Sequence, residues 1–159
     1  VGHMLPAPAI VSDVDLGRRL RNEPSVARTL AVAPRSDILV FSPGVLEEES
    51  VLVRSGFLTE RGMERLRAMG AVTDIFSRFL DMSGEPVSQE LEERTIAIPL
   101  DAVRQAKRSV AVASSLVKAV PMLVAMRSRL ATAAVVDEEL AKEILLLGRL
   151  GAEGDGTMA

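Results

Sequence analysis

The chain has 159 residues, 48% of them hydrophobic and 26% charged, the balance of one globular domain rather than of a disordered segment. A net charge of −3 and the lack of Trp and Tyr leave neither the basic footprint nor the aromatic platforms of nucleic-acid binding. Without Cys, and with His3 the only histidine, disulfides, thiolate or multi-histidine metal sites and a histidine-based triad are excluded.

No apolar run reaches the roughly 18 to 20 residues of a membrane span. The N-terminus lacks the regions of a secretory signal, and a cytoplasmic location is expected. Residues 1–4 read as a tag remnant or a native lead-in, 5–147 as one domain, and 148–159 as a mobile polar tail.

Leu5-Pro6-Ala7-Pro8 is extended, since proline disfavours helix in the residue before it. Ser12 or Asp13 caps a helix with Leu16 and Leu20 on one face, and Pro24 opens a second helix carrying Val26 and Leu30. Asp37 to Phe41 has the continuous apolar pattern of a strand buried on both faces, ended by Ser42-Pro43-Gly44. A glutamate-rich loop follows. Thr59 then caps a helix whose Met63, Leu66 and Met69 form a core stripe, and Gly70 stops it.

Val72 to Leu80 reads as one strand, with Asp81 to Gly84 as a tight turn into an extended return. Thr95 to Ile98 is a short strand, Leu100 to Ala106 a turn or two of helix, and Val110 to Ala113 a buried strand. The helix running to about Leu130 contains Pro121, which leaves two readings, a kink or a later start of regular helix. Ala131 to Val136 is the last strand, and Asp137 caps a helix from Glu138 to Leu147. This alternation predicts an α/β fold with a mostly parallel sheet flanked by helices.

In such a fold the ends of parallel strands open onto one rim. Asp74 heads one apolar segment and Lys118 lies just beyond another, so both can reach one ligand. A carboxylate that accepts from sugar hydroxyls, with an ammonium that meets phosphate, suits a phosphosugar. Both groups are expected to be partly solvated and replaceable at little cost in stability.

Several segments in order resemble the C-terminal, sugar-binding domain of the SorC-type (DeoR-like) transcriptional regulators. They are Leu5 to Pro8, the helix-rich run to Ala33, Asp37 to Phe41, Ser50 to Gly56, Gly70 to Asp74, Leu80-Asp81 with Gly84, Val110 to Ala119, and Val136 to Glu138. The resemblance implies a fold like that of ribose-5-phosphate isomerase and glucosamine-6-phosphate deaminase, incomplete here on its N-terminal side. It implies a phosphorylated-sugar effector, self-association as a dimer or tetramer, and DNA binding only through an N-terminal helix-turn-helix absent from this chain. It implies no cofactor, metal or membrane.

By the same resemblance Asp74 matches an acidic effector ligand, Lys118 an effector-contacting lysine and Arg54 a phosphate-contacting arginine. Asp81, Ser114 and Ser115 complete the candidate set. Asp81 also has a turn role, Arg54 a surface role, and Ser114-Ser115 stands where the family usually has two glycines. Ser42-Pro43-Gly44 likewise replaces a glycine-rich segment. Catalysis is not expected, because Asp74 and Lys118 lack the second acid that sugar-phosphate isomerisation would use. An oligomerisation module without effector binding is the alternative. A domain lacking its first α/β units would leave a sheet edge and an apolar face open, which predicts self-association.

Overall fold

A computed structural model describes residues 2–47 and 51–154, and only the backbone at Val51 and at 150–154. Glu48, Glu49 and Ser50 of the glutamate-rich loop, and the end of the expected tail at 155–159, lie outside the described residues.

The N-terminal helices are α1 (Val14–Asn22) and α2 (Pro24–Leu30). Asp13 rather than Ser12 caps α1, its carboxylate accepting from the Leu16 N–H at 2.8 Å. Leu16, Leu20 and Leu30 pack with buried Val11, Val26 and Ile96 in a small satellite core. A 3-10 turn, Ala33–Arg35, leads to β1 (Leu39–Phe41). After the short helix α3 (Val51–Arg54) comes α4 (Glu60–Ala68), capped by the Thr59 hydroxyl, which accepts from Gly62 N–H at 3.0 Å. Met63 and Leu66 are buried, but Met69 is exposed at the helix end and leaves the expected core stripe.

The expected single strand from Val72 to Leu80 is a hairpin, β2 (Thr73–Ile75) paired antiparallel with β3 (Arg78–Leu80). Phe76 and Ser77 form its turn, both at positive φ. That is the backbone two-residue hairpin loops adopt to match strand twist. Helix α5 (Gln89–Arg94) follows, where the sequence had suggested an extended return. The expected strand at Thr95 to Ile98 reduces to one bridge, Ile10 to Thr95, and Ile96 N–H donates to Ala9 at 2.9 Å. The stretch from Thr95 to Ile98 lies between α5 and Pro99, so pairing ends after that contact.

Helix α6 (Leu100–Arg104) precedes β4 (Ser109–Ala113), a 3-10 turn at Leu116–Lys118, α7 (Ala119–Arg127), β5 (Ala133–Val136) and α8 (Glu138–Gly154). Pro121 is the third residue of α7, where the N–H would have no partner within the helix, so no hydrogen bond is lost and no kink is needed. Helix α8 runs past the expected end at Leu147, and the Gly148 carbonyl accepts from the Arg127 guanidinium at 2.9 Å.

The main sheet is parallel, in the order β1-β4-β5. On one face Phe41 and Ala111 join Met122, Leu130, Leu140 and Ile144 in the main core, which seats α7 and α8. The other face is open. Val40 is 65% exposed, Val112 38% and Val135 57%, so β1 and β4 are not buried on both faces as their apolar runs had suggested.

Candidate functional site at the strand ends

Because the three strands run parallel, Phe41, Ala113 and Val136 end on one rim, and each is followed by a turn. An open groove there is lined by Ser42, Ala113, Ser114, Lys118, Val136 and Asp137, among others. This is where open parallel sheets bind ligands, since the chain turns away on either side and leaves a crevice.

The hairpin is delivered to this rim by packing at its tip. The Phe76 ring lies 5.1 Å from that of Phe41, centroid to centroid. Next to it the loop after β1 is pinned onto β2. Gly44 N–H donates to the Asp74 carbonyl at 2.7 Å, and the Thr73 hydroxyl donates to the Gly44 carbonyl at 2.9 Å. The loop also holds Lys118, whose ammonium donates to the Pro43 carbonyl at 2.5 Å.

Asp74 and Lys118 therefore meet around one short segment, Ser42 to Gly44. The Asp74 side chain packs against Gly44, and burial raises its pKa from 3.8 to about 6, offset in part by the Lys118 charge. Lys118 is near enough to act on it electrostatically, yet its ammonium bonds a neutral carbonyl and no ion pair joins the two. Asp74 is a half-buried carboxylate to which no donor among the described residues is bonded. Asp74 and Lys118 are both partly solvated, as expected from the sequence.

Ser114 and Ser115 lie exposed on the same rim. Ser115 has φ 83° and ψ 135°, a conformation that glycine tolerates and other residues seldom adopt. Its N–H donates to Asp137 Oδ2 at 3.2 Å, while Oδ1 of the same carboxylate accepts from Leu140 N–H at 2.8 Å. Those backbone hydrogen bonds, Leu140 first, hold the Asp137 carboxyl below its usual range. Sequence reasoning found the cap at Asp137 but missed its second task of fixing the Ser115 turn. Only its place just beyond a strand end pointed there.

The other candidates are not gathered into this cluster. Asp81 closes its own turn, accepting from the Ser83 N–H at 2.8 Å, the Ser83 hydroxyl at 2.5 Å and the Glu85 N–H at 3.1 Å. The Ser83 hydroxyl is the main cause that lowers its pKa. Arg54 is exposed at the end of α3. Among the described residues no cluster of metal-ligating side chains occurs, and no helix is long and apolar enough to cross a membrane.

Comparison with known proteins agrees with this architecture. Residues 2–146 match the family described as "Putative sugar-binding domain". The deoxyribonucleoside regulator of Bacillus subtilis is 28% identical over 141 residues, covering 89% of this chain and 45% of that protein. The transcriptional regulator LsrR of an Enterobacter species is 31% identical over 147 residues, covering 91% and 46%. A solved DeoR family transcriptional regulator from Listeria monocytogenes superposes with a TM-score of 0.82 at 24% identity, covering 88% of this chain and 57% of that one. The chain spans about half the length of the curated relatives it matches. These relatives are transcriptional regulators, not enzymes. The chain belongs to the sugar-binding domain family of SorC- and DeoR-type transcriptional regulators.

Proposed function

We propose that this chain is the effector-binding and oligomerisation domain of a sugar-responsive bacterial transcriptional regulator, acting in the cytoplasm and sensing a phosphorylated sugar. DNA binding belongs to a helix-turn-helix elsewhere in the whole regulator. The observation that carries the reading is that a half-buried, donor-free Asp74 carboxylate and the Lys118 ammonium lie around the same segment after β1, close enough to interact electrostatically but not ion-paired. Sugar hydroxyls would supply the donors that Asp74 lacks. The phosphate would compete with the Pro43 carbonyl for Lys118, a favourable exchange because an anion attracts an ammonium more strongly than a neutral dipole does. Ser114 and Ser115 would meet the ligand from the neighbouring turn, with Arg54 and Asp81 as further candidates.

Hydrogen bonds to charged groups contribute about 1.5 to 3 kcal/mol, so removing one should weaken binding about ten- to a hundredfold. Calorimetric titration of a sugar-phosphate panel against the complete regulator is the test, with Asp74→Asn and Lys118→Met each expected to lose affinity by that factor. Unchanged affinity in both variants would place the site elsewhere. The second reading, an interaction module without effector, is favoured by the open face at Val40, Val112 and Val135. Failure of the whole panel to bind would select it.

A further inference from the structure

We infer that Gly44 is a positioning residue for Asp74, its missing side chain providing the space in which the carboxylate lies beside Lys118. The inference rests on the reading of Asp74 and Lys118 as effector ligands. A Cβ at position 44 would fall 1.5 Å from Asp74 Oδ1, 2.4 Å from Cγ and 3.0 Å from Oδ2. All three nearest atoms belong to one carboxyl group. The requirement is for space and not for conformation, since Gly44 is not among the glycines at positive φ.

The backbone has little freedom to retreat. The Gly44 N–H and carbonyl are both bonded to β2, and the preceding carbonyl holds Lys118. An alanine here therefore displaces the Asp74 carboxylate, while Lys118 keeps its place on Pro43. The acid and the ammonium would then no longer present the spacing a single ligand can bridge. The charged group that faces Asp74 is Lys118, so the carboxylate's titration reports its position relative to that charge and to solvent.

The test compares the 159-residue chain with Gly44→Ala by carbon NMR of the Asp74 carboxyl from about pH 4 to pH 8, alongside titration with ribose 5-phosphate. The expected result is a native circular dichroism spectrum, an Asp74 midpoint lowered by about one pH unit or more, and affinity for ribose 5-phosphate reduced about tenfold. An unmoved midpoint in folded Gly44→Ala would overturn the inference.

Should Gly44→Ala unfold, thermal melts of Gly44→Ala/Asp74→Ala against Asp74→Ala alone decide the matter. Equal melting temperatures support a clash confined to the carboxyl, and a further drop in the double variant refutes it. If the midpoint moves while no form binds ribose 5-phosphate, the Gly44–Asp74 relation stands and that sugar phosphate is removed as the effector.

Discussion

At Asp74, position and stability pull in opposite directions. Burial raises its pKa from 3.8 to about 6, so between those values the native state holds a proton that the unfolded chain has released. Stability should fall as pH rises through that window, and above it the ionised carboxylate remains a standing cost. Asp74→Asn keeps the shape and removes the charge. It should stabilise the chain by about 2 kcal/mol near pH 8, after allowance for partial exposure, and by much less near pH 4. Urea unfolding at the two pH values checks this, and equal effects at both would show that burial does not govern the group. The same substitution is expected to weaken the effector, so gain in stability with loss of binding marks a functional carboxylate rather than a structural one. Residue types, spacing and the family resemblance singled out Asp74 and Lys118, and the fold brings both to the segment Ser42 to Gly44. Their coupling through Pro43 and Gly44 was not legible, because it depends on a backbone carbonyl and on an absent side chain.

Among the elements, helices with local signals were the most readable. Asp13, Thr59 and Asp137 each cap the helix expected of them, since an N-cap acts within three residues of itself. The hairpin was hidden because Phe76 and Ser77 adopt positive φ without the Asn or Gly that normally signals such a turn. Tertiary contacts offset that local cost. Phe76 packs on Phe41, and buried Arg78 donates to Glu92 on α5 at 2.7 Å. The far end of the hairpin is fixed by Gly84, at φ 82°, where a Cβ would approach the Ser128 Cβ to 2.1 Å. Arg104 secures the same corner, donating to the Gly84 carbonyl at 3.1 Å and to Glu85 at 2.6 Å. Gly84→Ala meets both backbone strain and overpacking and should cost about 2 to 4 kcal/mol. Ser128→Gly in the same chain should restore only the packing share, so full rescue in chemical denaturation would show that the backbone at Gly84 is unstrained.

For the whole molecule, sequence pattern identified the α/β class but misjudged which sheet surfaces are covered. A run such as Ile38-Leu39-Val40-Phe41 reads as buried on both faces, yet pattern cannot show whether a second layer is present. Here α7 and α8 cover one face, and Ile38, Val40, Val112 and Val135 remain exposed on or beside the other. Register places Val40 opposite Val110, and Val112 opposite Val135, so these side chains form rows rather than scattered points. Burying a valine fully is worth about 1.5 kcal/mol or more, and contiguous apolar faces of this kind are seldom left in water. The 159-residue chain should therefore self-associate through this face as concentration rises. Val40→Lys and Val135→Lys should shift it toward monomer while leaving the core on the other face, and hence the melting temperature at low concentration, nearly unchanged. Light scattering and sedimentation across a concentration series measure both effects. A monodisperse monomer at high concentration, or association indifferent to both lysines, would move the contact to another surface.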